Sequence, residues 1–239
     1  MPNLQLLNPQ SHAGLRLRTT EEAASHFVQI VVAEFAAAAA CCPILFSKEP
    51  ATGAFYAGAI FGFKAGENLL GTVEERGGFK PLTLQREGFF LSDRHIAIDR
   101  DHARFSEHEG ELLFDAAAAP GTALRAIQRV LGDLHSGLEQ TKAFIAALAN
   151  LKLIEPIDVS LHFDDGERIT LQGLYTVSLD RLRELDDAAA LGLFRAGHLQ
   201  FAYTMTASIK QIGRLAHIRN RRQATVEKDI AGLCQRFLF

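Results

Sequence analysis

The sequence predicts an α+β fold, with short antiparallel strands and hairpins packed against several helices, on three observations. Two pairs of alternating apolar segments, each pair joined by turn residues, read as hairpins. Helical periodicity is confined to other stretches, among them one long amphipathic segment near 122–149. Strand and helix do not alternate in the regular way that a parallel sheet needs. A chain of 239 residues that is 48% hydrophobic can bury a substantial core, and it is read as one domain over 1–239.

From Thr20 the string TEEAASHFVQIVVAEFAAAAACC reads as a helix, with Thr19 or Thr20 as N-cap and Glu21 and Glu22 in the first turn. Pro43 closes it. PILFSK and AFYAGAIFGF, separated by EPATG, make the first hairpin. Between Lys64 and Phe114 glycines, charges and short apolar runs such as FFLS and HIAID predict short strands and turns. Pro120, Gly121 and Thr122 then open the long helix, with Asn150 as its C-cap and Gly132 and Gly137 as weak points where it bends. The second hairpin pairs IDVSLHF with RITLQGLYTV across DDGE, setting Ile157, Val159, Leu161 and Phe163 opposite Ile169, Leu171, Tyr175 and Val177. From Ser178 the chain is helical again, interrupted at Gly197.

Leu124, Ile127, Leu131, Leu134, Leu138, Thr141, Ile145 and Leu148 recur at alternating spacings of three and four, a heptad seam in which only Thr141 is out of type. Such a seam wants a partner helix, from this chain or from a second copy, and it is the candidate interaction surface. The intramolecular alternative is an ordinary core helix.

Composition limits the classes of function. The 25 Lys and Arg against 28 Asp and Glu leave a net charge of -3, so no nucleic-acid partner is expected. The apolar stretch from Phe27 to Phe46 carries Gln29 and Glu34 and meets Pro43 before it could cross about 30 Å of hydrocarbon, so the protein is not expected to be integral to a membrane. Three cysteines, two of them adjacent at Cys41 and Cys42, do not form the even framework of a secreted domain. With no export signal read in MPNLQLLNPQSH, the expected location is cytoplasmic.

Complete catalytic motifs are missing: there is no GxSxG elbow, no GxGxxG turn and no phosphate loop. The densest polar cluster places His95, Asp99, Asp101, His102, Glu107, His108, Glu109 and Glu111 within seventeen residues. His with carboxylate suits zinc or iron, and His95, Asp99, Asp101, His102, Glu107 and Glu111 form the candidate metal or polar site. Their spacing matches neither HExxH nor a calcium loop, and a solvated acidic turn is the plainer account. Cys41 and Cys42 point about 100° apart on a helix, and their place at its C-terminal end raises both thiol pKa values, so they are read as buried and inert, with Cys234 similar or exposed. Lys210, Arg214, Arg219, Arg221, Arg222 and Lys228 form a basic patch. It is read as a solvated helix face, able to contact phosphate or an acidic partner.

Several strings together resemble the SapC family of bacterial proteins over residues of about 8–215. They are Asn8 with His12, Leu15 and Arg16, PILF at Pro43 to Phe46, GENLL at Gly66 to Leu70 and EGELLFD at Glu109 to Asp115. LIEP at Leu153 to Pro156, GLYTV at Gly173 to Val177 and the stretch Tyr203 to Ser208 complete the set. The resemblance brings no catalytic residue. It associates the chain with a surface layer, with a permease label that the missing spans exclude, and with neighbouring genes for TonB-dependent receptors and flavin halogenase-like proteins. LQREGFF at Leu84 to Phe90 lacks the family's paired arginines, and the tail 221–239 has no counterpart and stands as a C-terminal extension.

The leading expectation is a non-catalytic accessory or protein-binding protein that docks a partner, or a second copy, through the seam or the C-terminal helices, with no cofactor predicted. A metal-dependent enzyme using the His95–Glu111 cluster with a divalent metal, and a structural surface-layer protein, are the alternatives.

Overall fold

A computed structural model describes residues 3–20, 25–93 and 95–236, with side chains through Thr225. The elements run β1 (Leu4–Leu6), α1 (Pro9–His12), β2 (Arg16–Leu17), β3 (Phe27–Gln29), a 3-10 turn at Val32–Glu34, α2 (Phe35–Ala39), β4 (Ile44–Lys48) and β5 (Phe55–Ile60). Then come α3 (Leu82–Gln85), β6 (Phe89–Ser92), β7 (His95–Asp99), β8 (Phe105–Ser106), β9 (Glu111–Leu112) and α4 (Thr122–Asn150). The last part holds β10 (Ile154–Pro156), β11 (Val159–His162), β12 (Arg168–Leu171), β13 (Tyr175–Val177), α5 (Leu179–Arg183), α6 (Asp187–Arg195), α7 (His198–Ser208) and α8 (Gln211–Arg236). Every named strand pair is antiparallel. The fold is α+β.

The chain packs as two compact units, each assembled from separated segments: 1–23 with 80–139, and 24–79 with 140–239. Helix α8 continues from Gln211 to Arg236, so residues 221–236 are helical.

The first unit holds two three-stranded sheets, ordered β1–β7–β6 and β8–β2–β9. FFLS and HIAID form a hairpin, Phe89 facing Ile98 and Ser92 facing His95, turned at Asp93 with φ 52. Its core gathers Leu15, Phe89, Ile98, Phe105, Leu113 and Phe114 around Leu124, Ile127 and Leu131 from the start of α4.

A five-stranded sheet, β10–β13–β4–β5–β3, and the separate hairpin β11–β12 build the second unit. One face of the larger sheet carries Phe46, Phe55 and Tyr175, whose rings meet in tilted or edge contacts. Phe46 also meets Phe144 of α4, and Phe144 and Phe35 share contacts with Phe201 of α7. Edge-to-face geometry at ring separations of 5.6–6.1 Å suits the quadrupoles of the rings.

Three expectations are corrected. The helix from Thr20 to Cys42 does not form as one element. Its start at Glu21 and Glu22 lies outside the described residues, Phe27–Gln29 is strand β3, and helix begins at Val32. Val28, Ile30, Val31 and Val32 are all buried, and such an apolar run does not distinguish a buried strand from a buried helix. Pairing of Phe27 with Ile60 and of Gln29 with Gly58 decides for the strand. Tyr175 and Val177 leave the second hairpin, whose register ends at Val159 facing Leu171. Gly173, at φ 72, breaks the strand, and β13 joins β10 and β4 instead. Asn150 is not the cap of α4. Lys152 takes the left-handed conformation at φ 56, Lys152 N–H reaches Ala149 O and Leu153 N–H reaches Leu148 O, the Schellman pattern with lysine in glycine's usual place. The helix itself is continuous from Thr122 to Asn150 past both glycines.

Candidate functional site

The structure spreads the polar cluster of 95–111 among separate tasks. His95 opens β7 and is exposed. Asp99 accepts from Asn3 N–H at 2.9 Å and Asp101 from Asn3 Nδ2 at 3.3 Å, so the two carboxylates hold the start of β1 on β7. Arg104 N–H donates to His102 Nδ1 at 3.3 Å. Glu107 pairs with Arg100 at 2.6 Å, and Glu109 lies 3.8 Å from Arg18. Glu111 accepts from Ala123 N–H at 3.2 Å, satisfying one of the free donors at the N-terminus of α4. Among the described residues, no three His, Cys, Asp or Glu side chains are grouped to hold a metal ion.

The seam residues face this chain's own core. Leu124, Ile127, Leu131, Leu134, Ile145 and Leu148 are buried and Leu138 is half-buried. Thr141, the position out of type, accepts from the buried N–H of Val32 at 3.0 Å. A methyl in its place would leave that donor without a partner.

Cys41 and Cys42 are buried free thiols with their sulfurs 3.8 Å apart. Contact with Cys41, and then burial, push the Cys42 thiol well above its ordinary value. The expected rise of both is corrected for Cys41, which is drawn down by its hydrogen bond with Cys42. Cys234 lies outside the described side chains.

The basic patch is where the structure departs most from the sequence reading. Ile212, Leu215 and Arg219 follow one another at helical spacing and all three are buried, so Arg219 occupies an apolar-face position of α8 rather than a solvated one. Its Nε donates to Glu67 Oε1 at 3.1 Å and its Nη2 to Glu167 Oε2 at 2.5 Å. The guanidinium lies 4.1 Å over the ring of Phe163. Lys64 also pairs with Glu167, and Lys64 first, then Arg219, hold the Glu167 carboxyl below its usual range. Glu67 further accepts from Phe63 N–H at 2.7 Å, which closes the loop that follows β5. The sequence signal for Arg219 was present in the spacing of Ile212 and Leu215. Its partners, 152 and 52 residues away, were not.

Arg222 extends the same docking, its Nη1 donating to Asn68 O at 2.7 Å. Alongside runs an open groove of about 630 Å³, with Leu69, Leu70 and Ile218 as apolar lining and Arg214, Arg221 and Arg222 as cations. Glu75 also lines it, but its carboxylate is engaged by Thr72 N–H at 2.7 Å. Lys210 is exposed and does not line the groove, and Lys228 lies outside the described side chains.

The SapC family profile matches residues 7–215. The chain belongs to the SapC family. Most of the SapC strings do structural work here. Asn8 caps α1 by accepting from Ser11 N–H at 2.9 Å, and His12 Nδ1 lies 3.1 Å from Asn8 O. Leu15, Leu113, Leu153, Val177, Met205 and Ser208 are core residues, as is every apolar side chain of PILF beyond the proline. GENLL is the exception, because one stretch supplies both Glu67 of the Arg219 cluster and the Leu69–Leu70 lining of the groove. No curated protein and no solved structure matches the chain. Among the described residues no helix is long and apolar enough to cross a membrane.

Proposed function

We propose that this SapC-family chain is a non-catalytic accessory protein of the cytoplasm that binds an acidic, apolar-bearing segment of a partner protein in the groove along α8. The observation that carries the reading is the groove's lining: three arginines beside Leu69, Leu70 and Ile218, with Glu75, the one lining carboxylate among the described residues, already engaged. Cations around an apolar strip favour a segment that alternates Asp or Glu with Leu or Phe, the charges setting register and encounter rate and the apolar side chains adding affinity. In a chain of net charge -3, this local positive potential is set by the fold rather than by composition. Arg219 and Arg222 hold the GENLL loop against α8, which presents the groove preformed and lowers the entropy cost of binding. The buried free thiols of Cys41 and Cys42 suit a reducing compartment. A link with TonB-dependent uptake or with flavin halogenase-like partners is compatible with such a docking role.

The test is a titration of the full chain with a fluorescently labelled peptide of alternating Glu and Leu, followed by anisotropy. Saturable binding is expected, weakening as salt rises and falling about tenfold in Arg214→Glu or Arg221→Glu. Binding indifferent to both reversals sinks the reading. So does a concentration-dependent dimer, seen by light scattering, that Arg214→Glu abolishes, because the occupant would then be a second copy.

A further inference from the structure

Another cavity in the second unit differs from the groove in that its described lining carries no arginine, lysine or carboxylate. The face of the five-stranded sheet turned away from Phe46 and Tyr175 carries Ser47, Tyr56, Gly58 and Ile60, with Ser47 facing Tyr56 and Phe27 facing Ile60 across the strands. This face lines a cleft of about 390 Å³, together with Thr170 and Leu171 of β12 and Gln172 and Leu174 after it. Among the described residues, no Asp, Glu, Lys or Arg lines it. Aromatic rings do: Phe27, Tyr56 and Phe63, the first two in an edge contact at 5.8 Å.

The position of Phe27 is set by a missing side chain. A Cβ at Gly58 would stand 2.3 Å from two atoms of the Phe27 ring, so only glycine lets the ring lie down on β5 and line the cleft. Three polar side chains at the cleft, His26, Tyr56 and Gln172, make no side-chain hydrogen bond to any described residue, and Ser47 makes only a long one, 3.5 Å from Gly173 O. Among the described residues the cleft therefore combines ring surfaces, open hydrogen-bonding capacity and no carboxylate, lysine or arginine, in a volume within the usual range for small-molecule sites.

We infer that this cleft binds a small uncharged aromatic molecule bearing a hydroxyl or amide group. Its rings pack against Phe27 and Phe63, and its polar group exchanges hydrogen bonds with Tyr56 and Gln172. A carboxylate or phosphate finds no arginine or lysine here, so burial of its charge goes uncompensated. The inference is independent of the arginine groove.

The chain contains no tryptophan, so a fluorescent ligand excited beyond tyrosine absorption reports on itself alone. The probe is 2-naphthol, titrated against the full-length protein near neutral pH and followed by anisotropy. A saturable rise is expected, with affinity reduced roughly fivefold in Tyr56→Phe and in Gln172→Ala and unchanged in Arg214→Glu. The same rings carrying a charge, as 2-naphthoate, are expected to bind roughly tenfold or more weakly. The inference is overturned by no saturable rise, by naphthoate binding as tightly as naphthol, or by naphthol affinity unmoved by both cleft substitutions. Loss of naphthol binding in Arg214→Glu also overturns it, because the probe would then sit in the groove. Both cleft substitutions are conservative or exposed, and a retained unfolding midpoint separates lost binding from lost fold.

Discussion

Two threonines show how a single hydroxyl changes sign with its surroundings. Thr141 interrupts an otherwise apolar seam, and its Oγ1 is the acceptor for Val32 N–H at 3.0 Å. In Thr141→Val the volume is kept and the donor is orphaned inside the core, so urea unfolding should show a loss of about 1–3 kcal/mol. Thr176 presents the reverse case. Its residue is 7% exposed, and its Oγ1 is buried without a partner among the described residues. Replacing it with valine removes an unsatisfied group and keeps a β-branched side chain suited to strand β13. Thr176→Val should therefore gain about 1 kcal/mol in the same measurement. A loss would mean that the hydroxyl has an acceptor after all. The two substitutions are chemically identical, and composition or propensity would score them alike.

At the scale of elements, the Arg219 cluster joins α8, the loop after β5 and the β11–β12 hairpin through Glu67 and Glu167. Its dependence on pH follows from the lowered Glu167 carboxyl, which Lys64 and then Arg219 cause. A carboxyl whose native pKa is depressed contributes stability that is fully present above its unfolded value, near 4.5, and that is lost as pH falls through the lower native value. The acid limb of the stability curve should be shallower in Glu167→Gln than in the parent, with little difference in that slope near neutrality. Identical acid limbs would show that the ion pairs are not maintained in solution. The cluster also explains why α8 remains docked despite its many charges. Ile212 and Leu215 supply apolar burial, and Arg219 fills the next position on that stripe because two carboxylates and an aromatic face receive it.

For the molecule as a whole, the consequence lies in how each unit is assembled. The first unit draws β1, α1 and β2 from residues 1–23 and its other elements from 80–139. β2 is the middle strand of its sheet, with β8 on one side and β9 on the other, and Leu15 belongs to the core cluster. Removing residues 1–23 therefore takes out a central strand and a core side chain together. Hydrogen exchange on the truncated chain should show lost protection at β7, β8 and β9, while β4 and β5 in the second unit keep theirs. Retained protection throughout 95–112 would mean that the first unit folds without its leading segment.

What the sequence determined alone is what short-range chemistry encodes. The first hairpin, from Ile44 to Ile60, was legible because alternation and turn residues specify it within a few positions. The span of α4 followed from its repeat, and the family from the order of its strings. Tertiary structure decided the rest. It made Phe27–Gln29, the middle of an expected helix, into strand β3 by offering β5 as a neighbour, and it moved Tyr175 from a hairpin to the larger sheet. It aimed the seam at the chain's own core, sorted the basic patch into a buried clamp at Arg219 and a groove at Arg214, Arg221 and Arg222, and placed Phe27 on Gly58 to form the cleft. The physical reason is the same in each case. Periodicity reports which face of an element is apolar, but the partner that covers a face, or the carboxylate that admits a buried arginine, comes from residues distant in the chain, and no local pattern records their approach.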